Sequence, residues 1–216
     1  MRCFLQLIAM MAILGCSVGL GTHCGLAQEP QPMSDLFQKL QSDKTAHDVV
    51  DQVRDLAGSD ATARKYLADH LPALIEAGPK RYQPSHPPDS TIQWPGPAWL
   101  YAVSVADDLK MVECAPALAR WISVSTSPFT DLSIEASLRD KPAGTALIHI
   151  GDPAIPALQG ILEHGKLYER WDSFNALQRI GSPKAKAALR EYAPREPDES
   201  LKSFITRAIE MEVRRN

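Results

Sequence analysis

The segment ALIHIGDPAIPA, residues 146–157, returns thirty residues later as ALQRIGSPKAKA, residues 176–187. Ala-Leu, Ile-Gly, Pro and a trailing Ala keep their places. Each phrase reads as a corner between two helices. Gly151 and Gly181 end one helix, because glycine alone enters the left-handed region without a steric cost. Asp152 and Ser182 are of the type that caps the free N–H groups of the next helix. Pro153 and Pro183 suit the first helical position, where a missing N–H does no harm. Gly58-Ser59-Asp60 repeats the corner without the proline. A chain built from such corners has to stack short antiparallel helices.

The hydrophobic spacing agrees. Ala46, Val49, Val50, Val53, Leu56 and Ala57 follow the i, i+3, i+4, i+7 rule of one helix face. So do Ala63, Leu67, Leu71, Leu74 and Ile75, and Met111, Cys114, Ala115, Leu118, Trp121 and Ile122. Ala143, Ala146, Leu147 and Ile150 continue the series, then Trp171, Phe174, Leu177 and Ile180, then Leu201, Ile205, Ala208 and Ile209. No stretch alternates with period two over a useful length. The expected class is all-α. An entry helix falls over 34–41, helix pairs over 44–77, 96–125, 140–164 and 167–192, and a capping helix over 197–214. Asp198 and Glu199 near its start and Arg214 and Arg215 near its end suit the helix dipole.

LPAL, APAL and IPAL begin at Leu71, Ala115 and Ile155, spaced by 44 and 40 residues. Helix pairs recurring at such intervals indicate a solenoid. The pattern ALxxIGxPxxxA resembles the HEAT repeat, and its thirty-residue spacing resembles the shorter HEAT-like repeat of phycobilisome lyases. SDATARKYLADHL, residues 59–71, is similar to the HEAT pattern of an Asp followed by an Arg and an apolar face. The resemblance is good over 143–192, weaker over 43–77, and lost over 78–127. It implies an α–α superhelix of about four helix pairs plus the capping helix, of a kind that usually binds other proteins. It implies no lyase activity.

The first residues carry a different signal. Arg2 precedes the apolar run CFLQLIAMMAILGCSVGL, and GLA follows at 25–27. This is the pattern of a secretory signal peptide cleaved after Ala27. The domain plan is therefore a signal at 1–27, an entry segment at 28–42 and a repeat domain at 43–216. ILGC at 13–16 resembles a lipoprotein box, with Cys16 as the alternative lipid anchor. Export, to a periplasm or beyond, is the expected destination. The formal net charge of −3 becomes one unit more negative without Arg2, and no basic stripe appears. Nucleic acid is therefore an unexpected partner. Of four cysteines only Cys114 follows the signal. Its place on an apolar face points to a packed thiol rather than a nucleophile.

Chemistry-bearing motifs are sparse. His47, His70, His86, His149 and His164 form no zinc spacing, and neither a phosphate loop nor a nucleophile elbow occurs. No metal, cofactor or catalytic residue is expected. His149 near Asp152 is the nearest approach to an acid–base pair. Asp107, Asp108, Glu113, Asp131 and Glu135 read as caps and solvated faces. Lys184, Lys186 and Arg190 read as a solvated helix surface or a weak acidic-partner patch. The unusual segment is 78–99, with six prolines, Tyr82, Trp94 and Trp99. Its proline content predicts a loop at 78–97 that joins neither helix nor sheet. Tyr82 and Trp94 are the candidate partner-binding residues, and Trp99 the staple that holds the loop to the helices. The functional expectation is a protein- or peptide-binding scaffold. The alternatives are an accessory lyase-like enzyme with a His/Asp groove site and a structural envelope component.

Overall fold

Helix formation follows the apolar periodicity closely. The computed structural model describes residues 31–79, 81–82, 94–126 and 140–213. The described residues form ten α-helices: α1 (Gln31–Leu40), α2 (Ala46–Ser59), α3 (Ala61–Glu76), α4 (Pro97–Asp108), α5 (Ala115–Ala119), α6 (Pro142–Ile150), α7 (Ile155–His164), α8 (Leu167–Ile180), α9 (Pro183–Tyr192) and α10 (Glu199–Val213). The signal-like segment and Cys16 lie outside the described residues. No described helix is long and apolar enough to cross a membrane.

The helices touch in an alternating order. α2 packs on α4, α4 on α6 and α6 on α8; α3 packs on α5, α5 on α7 and α7 on α9. The second helix of each pair also meets the first of the next, as α3 meets α4, α5 meets α6 and α7 meets α8. One continuous core results, in which Leu67, Leu71, Ile75, Leu118, Leu147, Leu158 and Phe174 are almost fully enclosed. At the N-terminal end α1 lies on α2, α3 and α4 and buries Met33, Phe37 and Leu40.

Side-chain caps reach across this order. Asp60 accepts from the N–H groups of Thr62 and Ala63 at the start of α3. α4 begins at Gly96, which has no side chain to cap with. The Asp43 carboxylate, far upstream, accepts the Ala98 N–H at 2.9 Å in its place. Asp198 Oδ1 accepts the Leu201 N–H at 2.9 Å at the start of α10.

The two copies of the repeated phrase are built differently. At the second corner Gly181 is left-handed (φ 63°, ψ 3°), Ser182 Oγ accepts the Ala185 N–H, and Pro183 opens α9. At the first, Gly151 also has positive φ (78°, ψ −138°), but Asp152 does not cap a helix. Residues Asp152–Ala154 form a 3-10 turn, and α7 starts only at Ile155. The cause is a second proline. Lys186 N–H donates to the Ser182 carbonyl at 3.0 Å, the first bond of α9. The equivalent residue of the first copy is Pro156, which has no N–H and whose ring would strike the carbonyl four residues back. The Asp152 carboxylate instead faces Lys184 at 3.9 Å on the surface. Ser182→Ala is thus expected to cost about 1 kcal/mol. Asp152→Ala should cost under about 0.5 kcal/mol, since exposed pairs contribute little. Urea melts of the two variants check the contrast. Gly151→Val in the same assay should lose about 1–3 kcal/mol through backbone strain alone.

Two further expectations are corrected. The Pro-Ala-Leu echoes are not equivalent: Pro116 and Pro156 fall in the first turns of α5 and α7, whereas Pro72 lies inside α3. The 3-10 turns Val112–Cys114 and Asp152–Ala154 shift the later prolines to helix starts. The proline-rich loop also joins a sheet. Arg81–Tyr82 (β1) and Trp94–Pro95 (β2) pair antiparallel, with Tyr82 opposite Trp94 and Arg81 opposite Pro95. Proline removes only its own donor, so Tyr82 and Trp94 keep theirs.

Candidate functional site

Tyr82 and Trp94 are neighbours through their backbones, facing one another across the strand pair. Their side chains, and residues 83–93, lie outside the described residues. Trp99 is buried, and its indole N–H donates to the Ile75 carbonyl at 3.1 Å. Trp121 donates likewise to the Glu76 carbonyl at 3.3 Å, and its ring covers Gly78. Trp121 thus supplies a donor to the Glu76 carbonyl at the end of α3, and Trp99 adds a second donor to the Ile75 carbonyl beside the Gly78 N–H at 3.0 Å.

The other sequence candidates are distributed through the structure. Cys114 is buried, and its thiol is pushed up to about 12 by burial and then by the charge of Glu113. A thiol so held is protonated at neutral pH and a poor nucleophile. His70 stacks on Tyr66 with ring centroids 4.1 Å apart, and its Nδ1 lies 2.8 Å from the Tyr66 carbonyl. His47 Nδ1 meets Tyr101 Oη at 2.8 Å, bridging α2 to α4. His149 pairs not with Asp152 but with Asp107 Oδ1, at 2.7 Å, bridging α6 to α4. Asp108 takes the guanidinium of Arg54 from α2. His86, Asp131 and Glu135 lie outside the described residues. No group of three or more His, Cys, Asp or Glu with metal-binding geometry occurs among the described residues.

Buried charge lies elsewhere, at positions the sequence did not single out. Asp172 accepts from Lys141 Nζ at 2.6 Å and from Ser123 Oγ at 2.5 Å, which ties α8 to the start of α6 and the end of α5. Glu196 accepts from Arg170 Nε at 3.1 Å and Nη2 at 2.9 Å, from Tyr192 Oη at 2.7 Å and from the Asp198 N–H at 2.8 Å. Burial opposes ionisation of Glu196. The hydrogen bonds from Arg170, Tyr192 and Asp198, with the charge of Arg170, outweigh it and hold the carboxyl below the ordinary range. Both clusters are internally satisfied ties between elements.

The surface least explained by packing lies on α8 and α10. Four of the five large apolar side chains exposed among the described residues are carried by these two helices: Leu167 and Tyr168 on α8, Phe204 and Met211 on α10. Trp171, half-buried, meets Phe204 edge to face with ring centroids 5.0 Å apart. Close packing of α10 is on α9 and on the 3-10 turn Ala193–Arg195. Its backbone does not make with α8 the close approach that α2, α4, α6 and α8 make in succession. The Trp171–Phe204 contact thus joins α8 to α10, and the two helices carry an exposed apolar surface beside it. The sequence held one signal of that surface. Leu201, Ile205 and Ala208 fill one stripe of α10, and Phe204 and Met211 form a second that one core face cannot also bury.

No family model matches the chain, and neither the curated proteins nor the solved structures provide a match. The likeness to the HEAT repeat therefore rests on the residues quoted above.

Proposed function

We propose that the chain is an exported α–α superhelix of the HEAT-like kind that acts by binding another protein or a peptide. The alternating contact order carries this reading. From α2 to α9 each helix meets the helix two places on, and α3, α5 and α7 also meet the helix that follows them, which is how repeat stacks bury their apolar faces. Such stacks work through extended surfaces rather than closed pockets. The exposed apolar surface of α8 and α10 supports a binding role, since contacts of this type are rich in Trp, Tyr and Phe. Export rests on the signal-like run before Ala27.

Affinity capture from the native envelope fraction with residues 28–216 as bait, followed by cross-linking mass spectrometry, tests the binding reading. A defined partner cross-linked to one face is the expected result. Failure to retain any partner under gentle conditions would overturn it. Small-angle scattering should give an elongated particle, and a spherical one would remove the superhelix. The mature protein should begin at Gln28 by mass; a lipid on Cys16 would replace cleavage after Ala27 with anchoring.

A further inference from the structure

We infer that the exposed apolar surface of α8 and α10 takes up an amphipathic helix of a partner protein, with acidic residues beside its apolar stripe, as an added member of the stack. The inference rests on the protein-binding reading above and assigns it a site and a partner chemistry. Continuity with the molecule's own helix interfaces is the first ground. The succession α2, α4, α6, α8 is closed by close helix packing at every step, whereas α8 and α10 meet through the Trp171–Phe204 ring contact without that close backbone approach. Phe204 and Met211, at i and i+7, form an exposed ridge of α10 beside the core stripe of Leu201, Ile205 and Ala208. Seven residues of helix span about 10 Å, so the ridge offers two turns of contact. On α8, Leu167 and Trp171 add a second ridge one turn long. Both elements are helices whose backbones are already paired, so side chains must read the ligand. An added β-strand has no edge to join here.

The charge on the rim selects among helices. Arg207, exposed, lies three residues after Phe204 and four before Met211, on the stripe's own side of α10. Glu199 and Glu210 are turned away from that stripe by the helical period. On α8 the Lys166 ammonium sits 5.9 Å from the centre of the Tyr168 ring. Glu169 is engaged at the Lys166 N–H, and Arg170 is taken by Glu196. Arg207 and the Lys166 ammonium thus stand beside the exposed apolar side chains, which fits acidic residues flanking an apolar stripe.

The test uses residues 28–216 and fluorescence anisotropy with three labelled synthetic peptides. One is an amphipathic helix with Leu at every third and fourth position and Glu beside the stripe; the second replaces Glu with Lys; the third is proline-rich and extended. The acidic helix should bind best. The Phe204→Ser, Met211→Ser double variant should weaken it about tenfold or more while remaining cooperatively folded at the assay temperature, as a thermal melt checks, because both side chains are half exposed (48 % and 50 %). Arg207→Glu should weaken the acidic helix and favour the Lys peptide. Equal binding by wild type and double variant would overturn the inference. So would no binding of the acidic helix, or preference for the proline-rich peptide. A dimer that the same two substitutions dissolve would assign the surface to a second copy and overturn the inference too. If a native partner is captured equally by wild type and double variant, protein binding stands and this surface is not its site.

Discussion

Glu196→Ala is expected to destabilise the fold by about 3–5 kcal/mol, because it removes one member of a buried charge pair. The Glu196 side chain is wholly enclosed and Arg170 is 14 % exposed, so the guanidinium left behind has little water to turn to. Tyr192 and the Asp198 N–H lose their acceptor in the same step. Glu196→Gln keeps the shape and part of the hydrogen bonding, and should fall between wild type and Ala. The pH dependence has a definite sign. The carboxyl is held below its ordinary value of 4.5, so its stabilisation is fully present above that value. It is lost as pH falls through the lower folded-state value. The gap between wild type and Glu196→Ala, read from urea melts, should therefore be widest near neutrality and narrow in acid. A gap that stays constant down to strongly acidic pH would show that the carboxylate charge is not what holds the turn between α9 and α10.

Trp99→Ala should cost about 3–5 kcal/mol, the range for a large aromatic removed from a core. The ring is 3 % exposed and closes the junction between α3 and α4. Its loss also removes one of the two donors to the Ile75 carbonyl, leaving the Gly78 N–H at 3.0 Å. Trp99→Phe separates the two effects: most of the apolar area remains and the N–H is lost, for about 1–2 kcal/mol. Thermal melts of both variants provide the check. Near-equal losses would mean that the hydrogen bond, not the packed ring, carries the residue's role. Gly78 marks the limit of tolerance beside this junction, since a Cβ there would fall 2.2 Å from the Trp121 ring. Its φ of 79° adds a second penalty for any side chain.

Local signals were readable in the sequence where one residue type has one physical meaning. The helix faces, the left-handed Gly181 and the Ser182 cap all belong to this class. The first corner was misread because two signals compete there: Pro153 invites a helix at Asp152, and Pro156 forbids its first bond. The competing proline was visible in IPAL. The strand pair at Tyr82 and Trp94 was not, since two residues on each side establish no period. Pairings between distant positions were equally out of reach. His149 sits three residues from Asp152 in sequence, yet it meets Asp107, 42 residues away, because α4 and α6 are neighbours. The exposed apolar surface depends on where α10 docks after the turn that the Arg170–Glu196 pair ties to α8. The apolar pattern alone counts Phe204 and Met211 as ordinary helix residues.

The alternating contact order also bears on how the chain acquires its structure. No helix has to wait for a partner from the far end of the polypeptide; each finds its neighbours within the next few elements. Little loop entropy is lost before contacts form, and topologies of this kind fold fast. The termini then differ in kinetic character. α1 buries Met33, Phe37 and Leu40 against three helices, whereas α10 holds on mainly through α9 and the turn before it. Amide hydrogens of α10 should exchange by local opening well before those of α4 and α6, whose release requires the whole stack to come apart.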